Sequence, residues 1–383
     1  MADHTGYDRI PAVFMRGGTS KGVVIRQADL PADRARWDPI FLSLMGSPDP
    51  HGRQLDGMGG GVSSLSKVCV VAPSSHPDAD VDYTFAQVMV NEARVDYSGN
   101  CGNMSSAIGP YAVAEKMVSA ADGDALVRIF NTNTGKVIHA VFEVRGGQPV
   151  REGRLAIPGV AGTGAPVRLD FLDPGGATTG RLLPTGNALD VLDVPDFGRI
   201  EASMVDAANA CVFVEAAALG LAGNEMPSTL GERAHLCLWL EEIRASASLA
   251  MGITSSREAA HARRMVPFVG FVSGPQAAGT LSGENIAPES VDLTARMISN
   301  GQPHLALPLT ASLCTAVAAR IPGTLVNRST RRETASGGLR IGMPSGVLTV
   351  DAQVDRDESG RSVAVRGSFY RTARRLFDGY VYP

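Results

Sequence analysis

Two titratable side chains, an amine and a thiol, stand in unusual settings in the first half of this chain. Lys67 ends a glycine- and serine-rich segment, residues 56–67, immediately before an apolar run. Cys101 lies within the motif Gly99-Asn-Cys-Gly-Asn103, ahead of an apolar segment with helical character. Amines and thiols presented on loops are groups that proton-transfer chemistry uses. We therefore predict that Lys67 and Cys101 face one small, carboxylate-rich substrate.

A predicted hairpin precedes these two residues. Two short apolar strands, Ala12–Met15 and Val23–Ile25, flank a Gly/Ser loop whose backbone N–H groups could hold an anion. The alternative is an ordinary turn with solvated charges. Side chains of the loop add donors, and we predict substrate contacts from Arg16, Thr19, Ser20 and Lys21.

The segment after Cys101 is expected to be a buried helix, either kinked at Pro110 or starting late. If the helix starts near Gly102, the thiol lies at its N-terminus, where free N–H groups favour a thiolate or a bound carboxylate. The alternative is an inert core cysteine. The further substrate contacts predicted from this half are Ser64, Ser66, Asn100, Gly102 and Asn103.

The second half repeats this style loosely. Apolar patterns predict strands at Ala210–Val214 and Phe268–Val272, and the helices predicted between and after them are Arg233–Ala250, Ser256–Met265 and Asp292–Ile298. Strands are also expected at Val347–Val354 and Ser362–Tyr370.

A polar loop then enters an Ala-rich helix at residues 304–320, as the loop around Cys101 enters its own helix. We predict substrate contacts from His304, Thr310 and Ser312, and a core position for Cys314. Two halves built alike would place two helix N-termini across a cleft, an arrangement suited to a polyanion. The expected domains are 1–186 and 187–383, with a last strand that could cross back.

Composition indicates a soluble globular protein. The chain has 383 residues, of which 44% are hydrophobic and 19% charged, and a net charge of −4. This charge favours neither nucleic acid nor a membrane surface as a partner. No apolar run is long enough to span a membrane, and no secretory signal is evident, so we expect a cytoplasmic protein with a homodimer as the default state.

The cysteines and lysines carry further information. Five cysteines lie singly without a CxxC pair, which argues against a disulfide framework or a zinc ribbon, and we predict no metal and no cofactor.

Four of the 35 cationic Lys and Arg residues are lysines. A desolvated lysine can act as a base, whereas arginine keeps its proton. The interpretation is that Lys67 is a lysine because of its chemistry, and the alternative is a lysine retained by chance.

Taken together, these motifs make the chain resemble the PrpF family of allylic isomerases, whose fold is that of diaminopimelate epimerase. The resemblance implies an α+β fold of two similar domains, each a curved, barrel-like mixed β-sheet wrapped around a central helix. It also implies a cofactor-free isomerase of an unsaturated tricarboxylic acid such as 4-oxalomesaconate, 2-methylaconitate or aconitate, with Lys67 and Cys101 as the catalytic pair. The motifs that carry the resemblance are Met15–Gly22, Gly46–Pro50, Asp56–Gly60, Ser66–Lys67, Gly99–Asn103 and Ile321–Thr324.

The hypothesis is a 1,3-proton shift across an allylic system, or a cis–trans isomerisation, with Lys67 as base and Cys101 as acid, or the reverse. Loss of the Lys67 proton would require burial and cationic neighbours such as Arg16 or Lys21. Thr310 and Ser312 stand where epimerases of this fold have a second cysteine, so a two-thiol inversion is not expected. The alternatives are a non-catalytic accessory protein to an aconitase-like dehydratase and a cofactor-free racemase or epimerase.

Overall fold

The structure is a computed structural model, and it describes residues 9–97, 99–264, 266–299, 301–331 and 338–383. The strands, in chain order, are β1 Ile10–Gly17, β2 Ser20–Arg26, β3 Lys67–Pro73, β4 Val81–Val88, β5 Val95–Asp96, β6 Gly123–Asn131, β7 Lys136–Arg145, β8 Gln148–Pro149, β9 Val167–Leu172, β10 Asp190–Val194, β11 Gly198–Ala207, β12 Asn209–Glu215, β13 Phe268–Ser273, β14 Ala278–Gly279, β15 Asn285–Ile286, β16 Leu293–Ser299, β17 Gln302–Pro303, β18 Leu339–Met343, β19 Gly346–Arg356, β20 Ser362–Arg371 and β21 Ala373–Val381.

The α-helices are fewer than the strands and mostly short. In chain order they are α1 Trp37–Met45, α2 Gly102–Ala114, α3 Pro227–Gly231, α4 Ala234–Ala250, α5 Arg257–Ala262, α6 Leu309–Arg320 and α7 Leu325–Ser329. Among the described residues, none of these helices has the length and hydrophobicity needed to cross a membrane.

The chain packs as two compact units. The first comprises Met1–Asp170 and Tyr370–Pro383, and the second comprises Phe171–Phe369. The C-terminal strand β21 pairs with β1 from Ile10↔Val381 to Gly17↔Ala373, so the end of the chain belongs to the first unit. The packed units divide within β9, and the predicted domain boundary after Gly186 stays a prediction.

The first unit is a mixed sheet with a helix on either face. Strands β2 and β3 are parallel, β3 and β4 antiparallel, β4 and β6 parallel, and β6 and β7 antiparallel. Apolar side chains of one sheet face form a cluster with α1, which we call the α1 cluster and which includes Phe14, Val23, Val68 and Ala86. The other face carries α2, whose residues from Met104 to Val113 are buried. Apolar residues on both faces explain why these strands are almost continuously hydrophobic.

The second unit repeats this order of pairings. Strands β12 and β13 are parallel, β13 and β16 antiparallel, β16 and β18 parallel, and β18 and β19 antiparallel. Helix α6 is the buried counterpart of α2, with every residue from Ala311 to Ala319 inside the core. The predicted fold class, α+β with two similar halves, each a mixed sheet around a central helix, is confirmed.

One predicted element is wrong. The segment Asp292–Ile298, expected to be a helix, is strand β16, Leu293–Ser299. This strand lies between β13 and β18, and the residues from Leu293 to Ile298 are all buried. A strand buried on both faces loses the alternation that identifies strands in a sequence, so a short apolar run can be mistaken for a helix.

Candidate active site

Lys67 is the first residue of β3, and its side chain is nearly buried, with a relative exposure of 6%. Its Nζ donates a hydrogen bond to Gln87 Oε1, 2.5 Å away, and lies 4.9 Å from the centre of the Phe85 ring. Gln87 is the cross-strand partner of Lys67 in β4, and Phe85 lies two residues earlier on the same face. In the described part of the chain, no carboxylate forms an ion pair with this amine, which is held by a neutral amide and an aromatic ring.

The glycine-rich segment before Lys67 packs tightly against the turn that follows α1. A Cβ on Gly57 would lie 2.1 Å from the backbone nitrogen of Gly46, and one on Gly61 would lie 2.3 Å from the carbonyl oxygen of Gly52. Gly61 N also donates to Gln54 Oε1 at 2.9 Å. These glycines permit close backbone packing, a requirement that the sequence alone does not distinguish from flexibility.

Two serines of this segment were predicted to contact substrate. Ser66 is fully buried, and its Oγ lies 2.6 Å from Gln54 Oε1 and 2.9 Å from the carbonyl oxygen of Val62. Ser64 is half-buried in a short 3-10 helix, Ser63–Leu65. The hydrogen bonds of Ser66 anchor the loop, whereas a substrate contact from either serine stays a prediction.

Cys101 is half-buried and caps the N-terminus of α2, which begins at Gly102 and continues through Pro110. Of the two starts left open by the sequence, the helix takes the early one, so the thiol lies at its N-terminus. The first helical hydrogen bond runs from Ser105 N to the Cys101 carbonyl at 2.9 Å. The N–H groups of Gly102, Asn103 and Met104 precede that bond and have no partner within the helix, so this end suits a negative charge.

Asn131, at the end of β6 where the turn to β7 begins, forms a hydrogen bond with the loop that carries Cys101. Asn131, which is fully buried, donates from Nδ2 toward Asn100 Oδ1 at 3.5 Å and to the Tyr83 carbonyl at 3.2 Å. Asn100 Oδ1 also accepts from Ser105 Oγ at 3.1 Å, which ties the loop to the first turn of α2.

Asn133 of the same turn binds the backbone of β4. Its Oδ1 accepts from Phe85 N at 2.7 Å, and its Nδ2 donates to the carbonyls of Phe85 and Tyr97 at 2.9 and 2.8 Å. The signal of Asn131 and Asn133 in the sequence is the pairing of two amides with a turn glycine, which does not reveal what they bind.

A second thiol of the first unit, that of Cys69, lies on the same strand as Lys67. Cys69 is fully buried two residues after Lys67, with its Sγ 3.8 Å from Tyr83 Oη. Burial raises the pKa of the Cys69 thiol to about 12, and the charges of Cys101 and Lys67 act on it in opposite directions. Burial also raises the pKa of Tyr83, and the charges of Cys69 and Cys101 add to that rise.

The tip of the β1–β2 hairpin contacts the N-terminus of α2. Asn103 Nδ2 donates to Thr19 Oγ1 at 3.0 Å, and a Cβ on Gly17 would lie 2.5 Å from the Asn103 carbonyl oxygen. Thr19 is exposed, and Ser20 beside it is buried. The structure thus brings Thr19 and Ser20 to the part of the first unit that carries Cys101.

The two cations of the hairpin make other contacts. Arg16 Nη1 donates to the carbonyls of Gly18 and Thr372, each at 2.9 Å, and burial, followed by the charge of Arg374, lowers the pKa of Arg16. Lys21 Nζ lies 5.7 Å from the centre of the Phe14 ring, which belongs to the α1 cluster. These contacts do not involve Lys67, so they give no support to the expected influence of either cation on its proton.

Arg371 is a buried cation that sequence analysis missed. It is 7% exposed, burial lowers its pKa to about 10, and its Nε donates to Asn103 Oδ1 at 3.1 Å. Its neighbours in sequence gave no signal, because only the return of the C-terminus along β1 brings it to α2.

The second unit holds the remaining predicted contacts. His304 donates its backbone N–H to the Met297 carbonyl at 2.9 Å, its ring centre is 6.0 Å from that of Phe268, and burial lowers its pKa. Thr310 is exposed in the first turn of α6, whereas Ser312 is buried and its Oγ bonds to the Pro308 carbonyl at 2.9 Å. Substrate contacts from these three residues stay predictions.

Two features of the second unit bear on the comparison of the halves. Cys314 is fully buried, with its Sγ 3.3 Å from the Val205 carbonyl, so its predicted core position is confirmed. Phe268 is the first residue of β13, the strand that corresponds to β3, and it therefore occupies the place of Lys67.

Within the described ranges, no three His, Cys, Asp or Glu side chains lie close enough to hold a metal ion.

The chain is similar to known proteins over nearly its whole length. Residues 7–383 match the family model described as PrpF protein. The 3-methylitaconate isomerase of Eubacterium barkeri is 43% identical over 98% of this chain and 97% of its own length. The 2-methyl-aconitate isomerase of Shewanella oneidensis is 38% identical over 97% of this chain and 96% of its own.

A third relative and a crystal structure are also similar to this chain. The (4E)-oxalomesaconate Delta-isomerase of a Novosphingobium species is 36% identical over 98% of each chain. A crystal structure of methylitaconate-delta-isomerase, 43% identical, covers 98% of this chain and 96% of its own, with a TM-score of 0.90.

Proposed function

The chain belongs to the PrpF family and is an isomerase, and we propose that it moves a proton across the allylic system of an unsaturated tricarboxylic acid. The proposed proton-transfer pair is Lys67 and Cys101. The observation that carries the proposal is their setting: a nearly buried amine held by a neutral amide, and a half-buried thiol at a helix N-terminus. Two of the relatives are named 2-methyl-aconitate isomerase and (4E)-oxalomesaconate Delta-isomerase, which supports this chemistry.

In the proposed mechanism, the neutral Lys67 amine removes a proton from a CH2 group next to a carboxylate. The electron pair of the broken C–H bond moves into the allylic system and gives a dienolate. The Cys101 thiol then donates its proton to the carbon two positions away, which completes the shift of the double bond. A proton passes from the Lys67 ammonium back to the Cys101 thiolate before the next turnover, and in the reverse direction the two residues exchange roles.

The N-terminus of α2 supplies the stabilisation that the dienolate needs. The N–H groups of Gly102, Asn103 and Met104 precede the first helical hydrogen bond, so they are available to the added negative charge. Removing one such donor typically costs about 3 kcal/mol of transition-state stabilisation. The substrate contacts that we propose beside them are Thr19, Ser20, Asn100 and Asn103.

The first test replaces the base. Lys67→Met should reduce turnover, and the exchange of allylic protons into deuterated water, by about a hundredfold or more, because the general base is lost. Exchange is followed by proton NMR. Lys136→Met is the matched control, since Lys136 is exposed at the start of β7, and its rate should equal that of the unmodified enzyme. Exchange at the unmodified rate in Lys67→Met would remove this lysine from the mechanism.

The second test concerns the thiol. Cys101→Ser should lower kcat by about a hundredfold while KM changes only a few-fold, because the hydroxyl is a far weaker acid than the thiol. Cys237→Ser, at another half-buried cysteine, is the control and should keep full activity. An unchanged kcat in Cys101→Ser would indicate that the thiol has no part in proton transfer.

The substrate itself can be identified by NMR with the purified chain. The acids to be compared are 3-methylitaconate, 2-methylaconitate, 4-oxalomesaconate and the aconitates. Conversion of one of them by the chain alone would exclude an accessory role to a dehydratase. Exchange of the α-proton of an amino or hydroxy acid, without conversion of any of these acids, would instead favour a racemase or epimerase.

A further inference from the structure

Gln87 holds the Lys67 amine, and none of the sequence motifs involves it. It lies directly opposite Lys67 in the β3–β4 pairing, with its Oε1 2.5 Å from Lys67 Nζ. Phe85, two residues earlier on β4, places its ring centre 4.9 Å from the same nitrogen. Two side chains of one strand therefore fix the position of the amine.

The orientation of the Gln87 amide is set by its other end. Its Nε2 lies 3.0 Å from the carbonyl oxygens of Ser63 and Ser66 and 3.3 Å from that of Val88. Rotating the amide by half a turn would place Oε1 against carbonyl oxygens, which cannot donate a hydrogen bond. The atom that faces Lys67 is therefore the acceptor oxygen.

A neutral acceptor suits a group that must lose and regain a proton. An amide oxygen accepts a hydrogen bond from –NH3+ and from –NH2 alike, so the amine stays aligned in both forms. A carboxylate in the same place would favour the ammonium form and retain its proton. When –NH2 donates one N–H to Gln87, its lone pair and its second N–H remain for the substrate.

We propose that Gln87 is a positioning residue that keeps the Lys67 amine aligned and able to release its proton. The proposal rests on the proposed function of Lys67 in proton transfer. Among the described residues, the titratable groups near Lys67 include Cys69, two residues later on β3, Tyr83 on β4, which contacts Cys69, and Cys101 before α2. The cations of the neighbouring hairpin, Arg16 and Lys21, are engaged with backbone carbonyls and with the Phe14 ring.

The decisive substitution is Gln87→Glu, which introduces a carboxylate of the same length and gives up the hydrogen bonds that Nε2 donates to the Ser63 and Ser66 carbonyls. Because an opposite charge favours the ammonium form, the acidic limb of the kcat/KM profile should move upward by about one to three pH units. Activity should recover at high pH, where the amine is again neutral. Gln353→Glu, at an exposed position on β19, adds the same charge as a control and should leave the profile unchanged.

Gln87→Leu removes the acceptor without adding charge. It should lower kcat by about tenfold or more through loss of alignment, with little change in KM. Its acidic limb should not move upward, which separates the effect of charge from that of a damaged fold. Thermal denaturation of both variants shows whether they remain folded at the assay temperature.

A second readout does not depend on knowing the substrate. The chain has four lysines, Lys21, Lys67, Lys116 and Lys136, so their acylation by acetic anhydride can be followed separately by peptide mass spectrometry. Gln87→Glu should raise the pH midpoint of Lys67 labelling by about one unit or more, with the other three lysines unchanged.

The outcomes separate this inference from the proposed function. Identical Lys67 labelling in folded Gln87→Glu and unmodified enzyme overturns the role of Gln87, even if Lys67→Met is inactive and the proposed function stands. A raised midpoint together with full activity in Lys67→Met supports the electrostatic role of Gln87 but overturns the proposed function.

Discussion

At the scale of single residues, two cysteines of the first unit differ sharply in their surroundings. Cys101 is half-buried at the start of α2, whereas Cys69 has no exposed surface and contacts the buried Tyr83. Burial raises the pKa of Cys69 to about 12, so this thiol stays protonated throughout the physiological range. The thiolate is the reactive form of cysteine. Cys69 is therefore a neutral packing residue beside the proposed catalytic pair.

This contrast predicts the order of alkylation. In the folded protein at pH 8, iodoacetamide should modify the half-buried Cys101 and Cys237 and leave the buried Cys69, Cys211 and Cys314 unmodified. Peptide mass spectrometry locates the label, and alkylation in denaturant, where all five thiols should react, is the control. Rapid labelling of Cys69 in the folded state would show that the thiol is not enclosed as described.

At the scale of elements, the loop before Lys67 depends on close backbone contacts. Its glycines lie against the turn that follows α1, and Gln54 and Ser66 bind the loop with buried side-chain hydrogen bonds. The loop ends at the first residue of β3, so its packing determines where the Lys67 side chain begins. Damage to this packing should therefore reduce both stability and catalysis.

Gly57→Ala tests this packing. The added Cβ would lie 2.1 Å from the backbone nitrogen of Gly46, and backbone atoms can move only at a cost. We expect a loss of about 1–3 kcal/mol in the free energy of unfolding, as overpacking usually gives, together with reduced turnover. Gly279→Ala is the matched control, because a Cβ there meets nothing within 4 Å. Urea denaturation measures the difference, and equal stability of the two variants would contradict the tight packing.

At the scale of the whole molecule, the two units share a scaffold but not their chemistry. Each unit contains an aspartate that binds the backbone N–H and the guanidinium of an arginine 48 residues later: Asp80 with Arg128, and Asp292 with Arg340. At the start of β3, however, the first unit has Lys67, and at the start of the corresponding strand β13 the second unit has Phe268. This difference is consistent with the proposal that the proton-transfer pair, Lys67 and Cys101, belongs to the first unit.

The repeated ion pair allows a comparison of burial within one protein. The Asp292 side chain is 1% exposed and that of Asp80 is 24% exposed. We expect Asp292→Ala to lower the free energy of unfolding by about 2–3 kcal/mol and Asp80→Ala by about 1 kcal/mol, because water screens hydrogen bonds to a buried carboxylate less than those to a partly exposed one. Urea denaturation gives both values. A larger loss in Asp80→Ala would show that burial does not set the strength of this pair.

The sequence by itself determined the local features of this protein. The hairpin around Thr19 and a buried helix after Cys101 were predicted, because glycine turns and apolar runs act over a few residues. The start of that helix at Gly102 was one of two alternatives that the sequence left open. The family motifs were equally local. At Leu293–Ser299 the local pattern was misleading, because a short apolar run of a buried strand cannot be told from a buried helix by periodicity.

Only the tertiary structure decided which side chains surround the proposed catalytic pair. Three hydrogen bonds join residues far apart in the sequence. Gln87 is 20 residues from Lys67, Asn133 is 48 residues from Phe85, and Arg371 is 268 residues from Asn103. Such contacts depend on the register of paired strands and on the return of the C-terminus along β1. They leave no periodic pattern in the sequence, because the energy that fixes them comes from the burial of whole sheets and not from the residues that meet.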